Sequence, residues 1–304
     1  MSALRRTLGA VGVALLALAV PASAATAPFD PSPVQHVTVN GASFGYRTVG
    51  QGPPLVMIMG FTGTMAEWDP DLIRRLSARH RVILFDNRGM GESADASVAG
   101  LTIESMARDT ARLISELTAR GSAHVLGWSM GSYIGQELAL RHPSRVRRLV
   151  LAGSDPGSPR AIQAKPSVNA ILNDPNTSPD QLVPILFPRR AQERGFDYIR
   201  RVPTWPGITA DSFLVPPQSL AAQNRAEGPL WYGRGRGAYA DLPRLDKATL
   251  VADGTLDIVV PTPNSKLVAS RIPNARLRLF RHSGHAFLFQ RNRGFARRVI
   301  AFLG

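Results

Sequence analysis

The group in this chain best placed for covalent chemistry is a serine between glycines, in Gly127-Trp128-Ser129-Met130-Gly131. Before it stands Ala123-His124-Val125-Leu126, short and apolar enough for a buried strand. After it, residues 132–140 read as a helix that stops before Pro143. A G-x-S-x-G run between strand and helix puts the serine at the tip of a sharp, strained turn. Glycines two positions to either side leave room for that turn. The helix start behind it offers free N–H groups to developing negative charge. The chemistry expected is nucleophilic attack by a hydroxyl, and the bland alternative is a Gly-rich turn with an idle serine.

Other chemistry is thinner. The chain has no cysteine, which excludes disulfides, thiolate catalysis and a lipoprotein anchor. Six histidines and no H-E-x-x-H spacing argue against a metal site, and no cofactor is expected. Gly60-Phe61-Thr62-Gly63-Thr64 follows an apolar run and is placed to present a backbone N–H to a reacting oxygen. Asp86 and Arg88, in a glycine-punctuated octet ending at Ser93, are expected to pin loops by hydrogen bonds. His36, His80, His124 and His142 sit in contexts that suggest surface or structural roles.

The elements that must position these groups alternate in type. Residues 34–39 alternate in polarity, Asn40-Gly41 turns the chain, and residues 42–49 return. Residues 55–59 are a continuous apolar run, as in a strand buried on both faces, and residues 81–85 read as another buried strand. Residues 69–77 form a short helix. Thr102 opens another, with Ser105 in its first turn and apolar residues at the 3.6-residue period as far as Leu117. Residues 146–152 make a further strand. This alternation implies a mostly parallel sheet with helices on both faces.

From residue 154 to 246 the rhythm breaks. Prolines crowd in, with short helical pieces at residues 179–186 and 191–201 and recurring aromatics. The expectation is a helical cap laid over the carboxyl edge of the sheet, with Trp128, Trp205 and Trp231 as candidate pocket walls. The sheet then resumes. Residues 248–252 form a strand that leads into Asp253-Gly254-Thr255-Leu256-Asp257. Residues 263–271 form a helix, residues 275–280 the last strand, and His282-Ser283-Gly284-His285-Ala286-Phe287 follows.

With those pieces in order, the chain resembles the α/β-hydrolase fold family over nearly its whole mature length. Met59-Gly60-Phe61, residues 86–93, the Ser129 turn, Gly254-Thr255-Leu256-Asp257 and Ser283-Gly284-His285-Ala286-Phe287 carry the resemblance. It implies a triad in the order Ser129, Asp257, His285, with His285 as general base, Asp257 as its orienting acid, and an oxyanion hole made by the N–H groups of Phe61 and Met130. Met59 departs from the histidine many members carry there, which leaves a backbone donor untouched. His282 is a neighbouring alternative to His285, and Asp155, beyond another strand end, an alternative acid. The resemblance implies a carboxylic-ester hydrolase for a small to medium, partly apolar small-molecule substrate. A cofactor-free haloperoxidase-like perhydrolase and a non-catalytic ligand-binding homologue are the other readings. A serine at this turn argues against the branches of the family that use aspartate there.

The chain start reads as an export signal. Arg5 and Arg6 precede an apolar stretch at residues 8–20, and Ala22-Ser23-Ala24 is a small-residue cleavage site. The stretch is too short to span a bilayer, and the Arg5-Arg6 pair leaves twin-arginine export open. The domain reading is therefore a signal peptide at 1–24, a core at 25–153 and 247–304, and a cap at 154–246, with a periplasmic or secreted destination. The formal charge is +14, and all basic residues except Lys165, Lys247 and Lys266 are arginine. A nucleic-acid motif is absent. Arg291, Arg293, Arg297 and Arg298 on the last helix suggest at most a weak electrostatic association with an anionic envelope surface.

Overall fold

The computed structural model describes residues 30–157, 160–233 and 237–304. The proposed export signal lies outside them. Eight strands form one sheet in the order β1-β2-β4-β3-β5-β6-β7-β8. β1 (Gln35–Val39) and β2 (Ala42–Val49) form the expected hairpin at Asn40-Gly41, and β2 pairs antiparallel with β4 (Arg81–Phe85). The other pairings are parallel and run through β3 (Pro54–Ile58), β5 (Ala123–Trp128), β6 (Val146–Ala152), β7 (Thr249–Gly254) and β8 (Ala275–Phe280).

The strand period of two sorts the core into two layers. Leu55, Met57, Leu126, Val150 and Leu250 face α1 (Pro70–Ser77) and α10 (Asn292–Leu303). Val56, Ile58, Val125, Leu151 and Val251 face α2 (Ile103–Leu117), α3 (Met130–Arg141) and α8 (Pro263–Arg271). The central strands are therefore mostly apolar, because both of their faces are covered. Thr102 caps α2 by accepting from Ser105 N at 3.0 Å, and Ser105 Oγ accepts from Thr102 N at 2.9 Å, a reciprocal box that fixes the helix start. On α10, Phe295, Val299 and Phe302 are buried while Arg291, Arg293, Arg297 and Arg298 are exposed.

Between β6 and β7 lie α4 (Pro166–Asn173), α5 (Pro179–Leu186), α6 (Gln192–Arg201) and α7 (Pro217–Glu227). Prolines at first-turn positions start each of α4, α5 and α7, which accounts for the short, punctuated helices of this stretch. The segment is tied to the core by Tyr198 OH, which donates to Glu67 O at 2.7 Å, and by Arg201, whose Nη2 pairs with the buried Asp69 at 2.7 Å. After β8 the one-turn helix α9 (Phe287–Gln290) precedes α10.

Candidate active site

Ser129 stands at the end of β5, where the backbone turns at φ 56° and ψ −128°. A non-glycine residue there stores about 1–3 kcal/mol of strain, so its surroundings must hold it. Ser129 N donates to Ala152 O at 2.9 Å on β6, and Ser132 N donates to Ser129 O at 2.7 Å. The motif glycines are required by close approach. A Cβ at 127 would stand 2.1 Å from Gly131 O, and one at 131 would stand 2.2 Å from Ile58 O.

His285 lies in the turn between β8 and α9. Its Nδ1 is 2.6 Å from Asp257 Oδ2, and both side chains are buried. Asp257 follows β7, and its Oδ1 accepts from Val259 N at 2.8 Å and Val260 N at 2.9 Å. Backbone thus locks one carboxylate oxygen while the other takes the imidazole N–H. An ionised carboxylate only accepts, so Nδ1 carries the proton and Nε2 is left with its lone pair. Trp128 steadies the other side of His285. Its Nε1 donates to His285 O at 3.1 Å, and the two rings lie 5.3 Å apart.

Ser129 and His285 line one cavity of about 280 Å³. No hydrogen bond joins them in this structure, and such contacts commonly tighten only once substrate is seated. The loop after β3 crosses directly above the serine: a Cβ at Gly60 would lie 3.0 Å from Ser129 Cβ and 3.6 Å from its Oγ. In that loop the N–H of Thr62 is taken by Gln223 Oε1 at 2.8 Å, and that of Gly63 by Gly60 O. The N–H groups of Phe61 and of Met130, the first residue of α3, have no acceptor among the described residues. Asn87 Nδ2 donates to Met59 O at 3.2 Å, and the buried Asp86 accepts from Met65 N and Glu92 N at 2.5 and 2.8 Å. Arg88 pairs with Asp109 at 2.7 Å. These are the loop-pinning roles expected of that octet.

The alternatives fall elsewhere. His282 is exposed. Asp155 is buried but meets no imidazole. Its Oδ1 accepts from Gly157 N and Trp231 Nε1, and its Oδ2 from the hydroxyls of Tyr133 and Tyr232. This corrects two of the three tryptophan expectations. Trp128 lines the cavity, whereas Trp231 stacks on Tyr133 at 5.2 Å and is spent on Asp155. Trp205 is buried away from the cavity lining and donates to Trp68 O at 2.8 Å. Their indole N–H groups needed partners once buried, and those partners lie in the core. The cavity walls contributed by the segment between β6 and β7 are mainly aliphatic, including Ile171, Leu182, Leu186 and Leu220.

Three acids at or beside the site were not singled out by any sequence motif. Glu67 and Glu227 both line the cavity; burial pushes their carboxyls up, to about 7 and about 8. Asp253, at the end of β7, is buried with Oδ1 accepting from Gly254 N at 2.7 Å; burial and then the neighbouring Asp257 hold its carboxyl well above the usual range. An acid ending an otherwise apolar strand was the available signal for Asp253. Among the described residues no cluster of three potential metal ligands occurs.

A profile of the alpha/beta hydrolase fold matches residues 53–292. RutD of Azorhizobium caulinodans, assigned as a carbamate hydrolase, is 31% identical over 81% of this chain and 89% of its own length. Rhodomycin D methylesterase DauP of a Streptomyces species is 28% identical over 84% of this chain and 92% of its own. Among solved structures, an alpha/beta hydrolase fold protein from Chitinophaga pinensis superimposes with a TM-score of 0.75 at 26% identity, covering 89% of this chain and 97% of that one.

Proposed function

The chain belongs to the α/β-hydrolase fold family, and on that premise we propose that it is a serine hydrolase that cleaves carboxylic esters through Ser129, His285 and Asp257. The observation that carries this reading is the buried 2.6 Å contact between His285 Nδ1 and Asp257, on the wall of the cavity that Ser129 also lines.

In the proposed cycle His285 Nε2 takes the Ser129 proton as Oγ attacks the substrate carbonyl. Asp257 holds the ring and stabilises the imidazolium, and the N–H groups of Phe61 and Met130 receive the oxyanion, each for about 3 kcal/mol of transition-state stabilisation. The imidazolium then protonates the departing alkoxide, leaving an acyl group on Ser129. Water, deprotonated by the same nitrogen, attacks that acyl group; collapse returns the proton to Ser129 and releases the acid. The aliphatic walls support a substrate that is apolar beside its ester. Residues 154–246 serve as the cap in this reading, and residues 1–24 as the export signal; N-terminal sequencing of the protein recovered from outside the cytoplasm checks the latter.

The test is labelling by a fluorophosphonate together with turnover of p-nitrophenyl esters of rising chain length. Wild type should label and turn over. Ser129→Ala should do neither, and His285→Ala should lose a similar share of activity, because the pair acts as a unit. Equal labelling of wild type and Ser129→Ala defeats the nucleophile assignment.

A further inference from the structure

Charge is divided unevenly between the outside of this protein and its cavity. The chain carries 36 lysines and arginines, yet among the described residues none lines the cavity. The charged groups there are acids: Glu67 and Glu227 inside and Asp174 at the exposed rim. Of these, Glu67 already has a structural task, since its Oε2 accepts from Thr64 N at 2.7 Å and closes a capping box.

Glu227 has no such task. It is the last residue of α7, half-buried, and lines the cavity. It makes no hydrogen bond or ion pair with any described residue. Arg225, two positions earlier, is exposed and forms no pair with it. The negative end of the α7 dipole disfavours a carboxylate at this position. The buried carboxyl of Asp155 adds further repulsion. A carboxyl with little solvent, an opposing dipole, a neighbouring acid and no partner destabilises the fold, and residues that do so concentrate where function requires them.

We propose that Glu227 receives a basic nitrogen of the substrate, so that the substrate class is an ester whose apolar body bears one amine and no anionic group. An ammonium would give Glu227 the charge-assisted hydrogen bond it lacks. A carboxylate or phosphate would meet Glu227, Glu67 and Asp174 with no cation among the described lining residues to offset them. The statement about ester turnover rests on the serine-hydrolase reading; the statement about amine binding does not.

The experiment has two arms at about pH 8.5. In the first, calorimetry measures binding of hexylammonium, hexan-1-ol and hexanoate to the full protein and to Glu227→Gln. Hexylammonium is expected to bind roughly tenfold or more tighter than the alcohol, with hexanoate weakest, and Glu227→Gln to remove the advantage. In the second, kcat/KM is compared for the p-nitrophenyl esters of 6-aminohexanoate, hexanoate and mono-anionic adipate. The amino-to-neutral ratio should fall about tenfold in Glu227→Gln, and that variant should melt no lower than wild type. Ammonium binding no tighter than the alcohol overturns the proposal, as does an advantage that survives in Glu227→Gln. A marked loss of stability in Glu227→Gln, or its failure to fold, also overturns it, because either would make Glu227 a structural group. Ammonium preference without ester turnover would sink the hydrolase reading alone; Ser129-dependent turnover without ammonium preference would sink only this one.

Discussion

Two acids follow neighbouring strands of this sheet, and replacing each in turn separates structure from chemistry. Asp155→Ala removes the acceptor of four buried donors: Gly157 N at 2.8 Å, Trp231 Nε1 at 2.9 Å, Tyr133 OH at 2.8 Å and Tyr232 OH at 2.6 Å. Each stranded donor costs about 1–3 kcal/mol. Against that stands the cost of burying the carboxyl itself, which outweighs its four hydrogen bonds and holds it above the usual range. Removing one partner of such a buried network nets about 3–5 kcal/mol. At about 2–4 °C per kcal/mol for a domain of this size, the melting temperature should fall by roughly 6–20 °C. Trp231 and Tyr232 belong to the segment after α7 and Tyr133 to α3, so the loss should loosen that segment first. The assay is thermal unfolding followed by circular dichroism, paired with p-nitrophenyl ester kinetics at 20 °C. Asp155→Ala should keep kcat/KM within about tenfold of wild type. Asp257→Asn should do the reverse, holding its melting temperature while kcat falls by about 10⁴, because the imidazole loses its tautomer control. A melting temperature for Asp155→Ala within 2 °C of wild type, or a 10⁴-fold loss of turnover in that variant, refutes the assignment of roles.

Asp253→Asn should leave kcat/KM within about threefold, since the amide mimics the neutral acid that burial and Asp257 impose, whereas Asp253→Leu should lower it tenfold or more in the same ester assay. Burial, then His80, Arg147 and Arg148, push His124 down to about 4. Its contribution to stability is therefore complete above about pH 6.5 and is lost as pH falls toward 4, to the extent of about 3 kcal/mol. Glu67 and Asp86, raised to about 7 by burial, act in the opposite sense. The check is therefore the imidazole's own NMR titration, and a midpoint near 6.5 rejects the claim. Gly294→Ala, in α10, would place its Cβ no nearer than 3.9 Å to Phe280 and should stabilise by about 0.5–1 kcal/mol in urea unfolding. Gly131→Ala should yield no active enzyme, because its Cβ meets Ile58 O at 2.2 Å.

The parts of the fold legible in the sequence are those in which one physical cause dominates. A strand buried on both faces reads as an apolar run, as residues 55–58 do, and the paired glycines around Ser129 follow from a turn with no room for a Cβ. The aromatics of residues 154–246 carried no such signal. Whether Trp205 or Trp231 faces the cavity depends on which partner its indole N–H finds, and Trp68 O and Asp155 come from distant parts of the chain. Glu227 was hidden for a related reason: an acid is unremarkable until α7 is known to end on it and no cation among the described residues is found to pair with it.

That asymmetry between surface and cavity has a physical consequence for how the site discriminates. Exposed arginine charge is screened within about 8 Å at physiological salt, so it governs approach and weakens as salt rises. Carboxyls in a largely apolar cavity are screened much less, so they govern residence. A basic exterior and an acidic cavity therefore select at different stages. An anion drawn to the surface meets no cation among the described residues that line the cavity with Ser129. On the Glu227 proposal, an amine gains its partner only after giving up water inside. Selectivity of this kind should appear in the ratio of kcat/KM between amino and neutral esters and should change little with salt, whereas selectivity set by the arginine surface would change steeply.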